Sequence, residues 1–196
     1  DGNGRWAELR GLPRIAGHRE GINSVREMIT LCLELGIHAL TIYAFSQENW
    51  NRPTQEISAL MGLLEHYLST ERASLIEQGV CFRTIGRHEL LPSSAQHWIR
   101  TTEKETAHLD KLILTVALSY GGRAEIVDAV KKLVENVQAG TVHPSRIDET
   151  TIQQYLYTHP LQDPDLLIRT SGEARISNFL LWQLAYTELC FTPTLW

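Results

Sequence analysis

A chain of 196 residues with 43% hydrophobic content carries enough apolar side chain for one sizeable core, and two small domains fit it less well. Its net charge of −5 argues against a general nucleic-acid binder, so no nucleic-acid partner is expected, and its local basic clusters point to a discrete anionic ligand. Cys32, Cys81 and Cys190 are odd in number, far apart and without C-x-x-C spacing, which reads as buried thiols in a reducing compartment and excludes a disulfide framework or a zinc site.

Residues 1–18 are glycine-rich and basic, with Gly2, Gly4, Arg5, Arg10, Arg14, Gly17 and His18 following Asp1. Backbone amides freed by glycine and flanked by guanidinium groups make a cradle for a phosphate cluster. Asp1 would repel such a ligand unless a divalent cation stood between them, so the stretch reads as a metal-assisted phospholigand site. A polar terminal arm without a partner is the bland alternative, and Trp6 inside the charge cluster argues against it.

After His18 a helical period runs through Ile22, Val25, Ile29 and Cys32 to Gly36. Residues 38–45 are apolar and partly β-branched, which predicts a buried strand. A long helix follows Pro53 through Ile57, Leu60, Leu64 and Leu68, and Gly79 closes it. Strand 81–86, helix 94–108 and strand 112–120 come next, the last being the clearest of all. Gly121-Gly122 turns the chain into helix 123–138, Asp148 caps a short helix to about Tyr157, and strands 165–170 and 188–192 complete the pattern.

This alternation implies right-handed crossovers and a single α/β domain spanning 1–196, with a mainly parallel sheet covered by helices on both faces. Asp1-Gly-Asn-Gly fits the end of a preceding strand, and the chain stops abruptly at Leu195-Trp196, so the domain reads as truncated at both ends. No signal peptide is visible. The longest apolar runs, at 112–118 and 179–184, are too short to cross a bilayer, and a cytoplasmic protein is expected.

In sheets of this kind ligands bind beyond the carboxyl ends of the strands. Three polar motifs fall there: Ser46-Gln-Glu-Asn-Trp-Asn-Arg52, Ser119-Tyr-Gly-Gly-Arg123, and Arg169-Thr-Ser-Gly-Glu-Ala-Arg175-Ile-Ser177. Gly2-x-Gly4-x-x-Ala7 formally matches a dinucleotide fingerprint, but Arg5 and Trp6 place bulk where a pyrophosphate must approach closely. No G-x-x-x-x-G-K-[ST] loop is present.

Taken together, DGNGRWA (1–7), R-x-x-G-H (14–18), YAFSQENWNRP (43–53), SYGGR (119–123) and DPDLLIRTSGEARISNFLLWQLAYTEL (163–189) resemble the cis-prenyltransferase family. The blocks span nearly the whole chain in the family's order. The resemblance implies condensation of isopentenyl diphosphate onto an allylic primer, farnesyl diphosphate, with formation of Z double bonds. The implied product is a long polyprenyl diphosphate of undecaprenyl type, the lipid-carrier precursor of bacterial cell-wall synthesis. The E-forming synthases are all-helical and use D-D-x-x-D pairs, and no such pair occurs here.

By this resemblance Asp1 is catalytic and holds Mg2+, with Glu188 as the second metal-contacting carboxylate. Gly2, Asn3, Gly4, Arg5, Trp6, Arg14 and His18 would bind the allylic diphosphate, and Arg169, Arg175 and Ser177 isopentenyl diphosphate. Ser46, Asn49, Trp50 and Arg52 match a loop over the site, with Asn49 its proton-handling group. An amide is a poor base, so Asn49 is read as orienting the diphosphate that takes the proton, or a water. Core packing explains Trp50 nearly as well as substrate contact. The product requires an apolar tunnel, for which Ala44 leaves room and Leu112 closes the floor, although plain core explains Leu112 as well. A homodimer and transient contact with the membrane surface are implied too. Two competing readings stand beside this one: an inert subunit of the same fold, and a non-catalytic phospholigand-binding module.

Overall fold

The computed structural model describes residues 2–196. Its long helices and the strands of its main sheet fall where hydrophobic period and glycine punctuation place them. Helix α2 (Arg14–Glu34) precedes strand β1 (Ala39–Ser46), and α3 (Thr54–Gln78) leads to β2 (Val80–Ile85). Then come α4 (Ser93–Thr106), β3 (Leu112–Tyr120), α5 (Gly122–Gln138) and α6 (Glu149–Tyr155). Strands β4 (Leu166–Arg169) and β5 (Glu188–Phe191) end the order. Gly79 terminates α3 in the left-handed region, with φ 78°, a conformation that costs glycine nothing.

β3 lies between β1 and β2, and all three are parallel, with Ala39 opposite Ile113 and Val80 opposite Leu112. Leu112, Leu114, Val116 and Leu118 alternate onto one face and pack beneath Ile29, Leu68, Leu75 and Ile99 of α2, α3 and α4. Ser119 adopts φ 48° and breaks that alternation. Tyr120 consequently joins Ala117 on the opposite face, against Tyr157, Phe179 and Leu180. The edge strand β2 is blunted by α4: the Phe82 amide donates to Thr106 Oγ1 at 3.0 Å and the Thr84 amide to Glu103 Oε1 at 2.8 Å.

Four features depart from expectation. A helix α1 (Asn3–Glu8) occupies the opening motif, and α2 already begins at Arg14, so Arg14 and His18 sit on its first turns. The strands form two parallel sheets, with β4 pairing only β5. α6 ends at Tyr155, because the Tyr157 amide turns away to Glu125 Oε1 at 2.9 Å. Of the three thiols only Cys32 is buried; Cys81 is half-buried, and Cys190 is exposed because all of β5 is. Among the described residues no helix is long and apolar enough to cross a membrane.

Candidate active site

The first half of the site is a corner where α1 lies across the start of α2. A Cβ at Gly17 would collide with the Asn3 carbonyl, and one at Gly21 with the Asn3 side chain, so two glycines of α2 permit this approach. Gly4 is buried within α1 beneath the Arg14 guanidinium, which would meet any added Cβ. Gly2, with φ 105°, makes the turn into the helix. Arg14 pairs with Glu8 at 2.7 Å. Trp6 carries Arg10 over its ring at 4.2 Å. His18 has its Nε2 buried without a hydrogen-bond partner among the described residues. Burial, and after it the charge of Arg52, lower its pKa, so the ring is held neutral.

The second half is the loop after β4. Ser171, Gly172, Ser177, Asn178 and Leu180 all take positive φ there, four of them non-glycine. Such backbone is sparsely populated and persists only where its surroundings over-determine it. Here the Arg169 guanidinium supplies that constraint, donating to the Arg175 carbonyl and, at 2.8 Å, to Ser177 Oγ. Burial and the Arg175 charge lower the pKa of Arg169. Arg175 itself is paired with Glu173.

Long-range bonds join the two halves. Arg5 of α1 donates to the Ser171 carbonyl at 3.0 Å and to Ser171 Oγ at 2.6 Å, and stands 3.5 Å from Glu173. Glu173 therefore lies between guanidiniums contributed by both motifs, the place an anionic ligand would take.

The loop after β1 forms a single-turn 3-10 helix (Gln47–Asn51). Asn49 Oδ1 accepts from the Ser46 amide at 3.1 Å, which engages the only acceptor of its side chain and leaves N–H donors. Trp50 packs edge-on against Phe45 and donates from Nε1 to Ser119 Oγ at 2.9 Å, which places its indole against the core. Arg52 is paired with Glu56 at 2.9 Å.

Asn178 fastens this loop to the others. Its side chain donates to Glu48 Oε1 at 3.0 Å and accepts from the Arg123 amide at 2.9 Å, while its carbonyl accepts from the Gly122 amide at 2.7 Å. Beneath it lies Glu125, which is 1% exposed. Glu125 accepts from the Tyr120 hydroxyl and from Gln183 Nε2 at 3.1 Å, and burial raises its pKa. Sequence reasoning missed Glu48, Glu125, Ser171, Glu173 and Asn178. Only Glu125 carried a local signal, as an acid in the first turn of a helix on its buried face.

The remaining expected residues lie apart from this cluster. Glu188 opens β5 opposite Leu166, three residues short of the register where Arg169 stands. Ala44 sits exposed at a register irregularity near the carboxyl end of β1. Leu112 is fully buried at the amino end of β3. Asp1 lies outside the described residues. Among the described residues no three His, Cys, Asp or Glu side chains converge as a metal site.

A groove of about 750 Å3 runs between α2 and α3, lined by Ile15, Ile22 and Leu63 and equally by Arg19, Glu20 and His66. A parallel α/β sheet with two arginine clusters joined at one end, beside an elongated groove, defines a phospholigand-binding α/β protein.

Residues 1–196 match the family model described as "Putative undecaprenyl diphosphate synthase". An isoprenyl transferase of Heliobacterium mobile is 53% identical over all 196 residues, which cover 75% of that protein. A ditrans,polycis-undecaprenyl-diphosphate synthase, described as (2E,6E)-farnesyl-diphosphate specific, from Xanthomonas axonopodis pv. citri is 48% identical over the whole chain and 76% of its own. The crystal structure of lavandulyl diphosphate synthase from Lavandula x intermedia, in complex with dimethylallyl diphosphate, superposes with a TM-score of 0.96 at 39% identity. It covers all of this chain and 84% of that one. The chain belongs to the undecaprenyl diphosphate synthase family of prenyltransferases.

Proposed function

We propose that this chain condenses isopentenyl diphosphate with farnesyl diphosphate and repeats the step to a long polyprenyl diphosphate of undecaprenyl type. The observation that carries the reading is the convergence of Arg5 on the Ser171–Glu173 loop, which brings two arginine clusters to one end of the molecule. Two diphosphates must be held side by side for the C–C bond to form, and each cluster suits one of them.

In this reading Gly2, Asn3, Gly4, Arg5, Trp6, Arg14 and His18 hold the allylic diphosphate. The Arg5 and Arg14 charges and the amides of the turn stabilise it as it departs carrying more negative charge. Arg169, Arg175 and Ser177 hold isopentenyl diphosphate, whose terminal carbon bonds to the allylic carbon as the C–O bond to the primer's diphosphate breaks, and whose C2 proton then passes to an oxygen of the departing diphosphate. Asn49, as a donor, orients that group, and Ser46 and Arg52 support its loop. Asp1 and Glu188 are the carboxylates proposed to hold Mg2+, whose chemistry would be to neutralise diphosphate oxygens. The hydrocarbon follows the groove between α2 and α3, whose lining includes neither Ala44, exposed on β1, nor Leu112, buried in the core. Homodimerisation and passing contact with a membrane surface belong to the same proposal, and sedimentation and vesicle flotation test them.

Incorporation of labelled isopentenyl diphosphate into extractable lipid is the direct test, run with and without farnesyl diphosphate and Mg2+. An inert subunit or a binding module incorporates none. Asp1→Ala is expected to leave the circular dichroism spectrum unchanged and to cut turnover more than tenfold, above ~1.4 kcal/mol. Turnover within a factor of ten of the parent would remove Asp1 from the chemistry.

A further inference from the structure

The motif Ser119-Tyr-Gly-Gly-Arg123 closes β3 and opens α5, and its glycines and its arginine have had no role so far. The glycines let the loop after β4 come close. A Cβ on Gly121 would meet Asn178 Nδ2 at 2.8 Å, and one on Gly122 would meet the Leu181 side chain at 2.8 Å and the Asn178 carbonyl at 3.1 Å. The Arg123 amide donates to Asn178 Oδ1 at 2.9 Å, so the backbone of Arg123 is tied to the residue that follows Ser177. Its side chain is exposed, and its guanidinium has neither a hydrogen bond nor an ion pair among the described residues. The other arginines of the site are engaged: Arg5 with Ser171, Arg14 with Glu8, Arg52 with Glu56, Arg169 with Ser177 and Arg175 with Glu173.

Arg123 is also in an unfavourable place. It is the second residue of α5, where a cation shares the positive end of the helix dipole. Glu125 in the same turn offers no relief, because it is buried and bonded to Tyr120 and Gln183. Glu48 of the neighbouring loop bonds Asn178 instead. A side chain that breaks a local rule without a compensating partner marks a position where function outweighs stability.

We infer that Arg123 is a further cation of the isopentenyl diphosphate subsite and captures each incoming diphosphate. This rests on Arg169, Arg175 and Ser177 holding that substrate. Helix side chains lean toward the N-terminal end of their helix, so Arg123 leans toward the carboxyl end of β3 and the loop that Asn178 ties to it. Arg175 must give up Glu173 before it can take a diphosphate, whereas Arg123 has no partner to release. Standing in water, its charge reaches an approaching anion over about 10 Å at 0.1 M salt and steers it in. A chain-lengthening enzyme takes up a new isopentenyl unit at every cycle, so capture recurs with each step.

The test pairs steady-state kinetics, each substrate varied in turn, with thermal melts of the substrate-free protein. Arg123→Gln is expected to raise KM for isopentenyl diphosphate about fivefold or more, with most of the loss in kcat/KM falling on KM. KM for farnesyl diphosphate should change less than twofold (about the scatter of such assays). Arg123→Lys, which keeps the charge and loses the fork, should fall between parent and Arg123→Gln, and Arg123→Glu should exceed both. Added salt should depress kcat/KM for isopentenyl diphosphate more steeply in the parent than in Arg123→Gln. Both Arg123→Gln and Arg123→Glu should melt no lower than the parent, since each removes a cation from the positive end of α5. Weaker substrate capture at undiminished stability is the signature that a merely structural arginine would not give. An unchanged KM for isopentenyl diphosphate in Arg123→Gln and Arg123→Glu, with the parent active, would overturn the inference and leave the subsite standing. A rise confined to the primer, or a lowered melting point that Arg123→Lys restores together with KM, would overturn it too. No incorporation by the parent would remove the reading on which the inference rests, and the inference with it.

Discussion

The two arginine-bearing halves of the site are built on opposite principles. In residues 2–21 helix packs directly on helix, with α1 seated on α2 where Gly17 leaves room for the Asn3 carbonyl and Gly21 for the Asn3 side chain. In residues 169–178 polar side chains hold a loop in conformations that its own backbone disfavours. The first half is therefore as stiff as the helices that form it. The second is only as fixed as its hydrogen bonds, several of which an incoming diphosphate can replace, beginning with the Glu173 carboxylate between Arg5 and Arg175. In the proposed reaction the stiff half holds the primer and the adjustable half receives a fresh isopentenyl unit at each cycle.

The sharpest way to break this contrast is Gly17→Ala. Its Cβ has no room against the Asn3 carbonyl, so α1 must lift away from α2. The expected cost is about 3 kcal/mol or more in a denaturant titration, with turnover lost. A stable, active variant would show that the first half is as pliable as the second.

Arg169→Ala and Arg175→Ala probe the other half. Each removes charge-assisted hydrogen bonds of ~1.5–3 kcal/mol, so KM for isopentenyl diphosphate should rise about tenfold or more while that for the allylic primer changes less. Steady-state kinetics with each substrate varied in turn decides it, and the opposite pattern would exchange the two pockets.

Asn178→Gly is a finer probe. Glycine accepts the left-handed conformation and deletes only the side chain that joins Glu48 to the Arg123 amide. Thermal stability should fall by about 1 kcal/mol, and a double-mutant cycle with Glu48→Ala should show coupling of ~0.5 kcal/mol or more. Additive effects would mean that the loops stand independently.

The smallest effect belongs to His18. Its folded pKa lies below the ordinary imidazole value of 6.5. As pH falls through 6.5 the unfolded chain takes up the proton first, so stability declines from there down to the lowered value and is level above 6.5. His18→Gln should remove this contribution to the slope in denaturation series across that range. An unchanged slope would mean that the ring is not desolvated.

Much of this molecule was legible before folding. The strands of the main sheet announce themselves because 38–45 and 112–120 are apolar runs rich in β-branched residues, and Gly36 and Gly79 mark the helix ends before β1 and β2. Helix α1 was not legible: six residues with two glycines at or beside their start carry no apolar period, and the segment is helical because α2 offers a surface to lie on. β4 and β5 were legible as strands but not as exposed ones, since an apolar run reports preference for extended backbone and not what covers it.

The sequence by itself determined the long helices and the strands, the three polar motifs at the carboxyl ends of strands and the family to which they belong. Hydrophobic period, turn chemistry and motif spacing are properties of near neighbours, and near neighbours are what a sequence sets in order. Only the tertiary structure decided that Arg5 would grip Ser171, 166 residues away, that Asn178 would bridge to Glu48 and that Glu125 would be buried under Tyr120 and Gln183. It alone placed Arg26 against Glu71 beside the groove between α2 and α3. These pairings follow from how helices and sheets pack against one another, and a hydrogen bond exists only once that packing has brought donor and acceptor within about 3 Å.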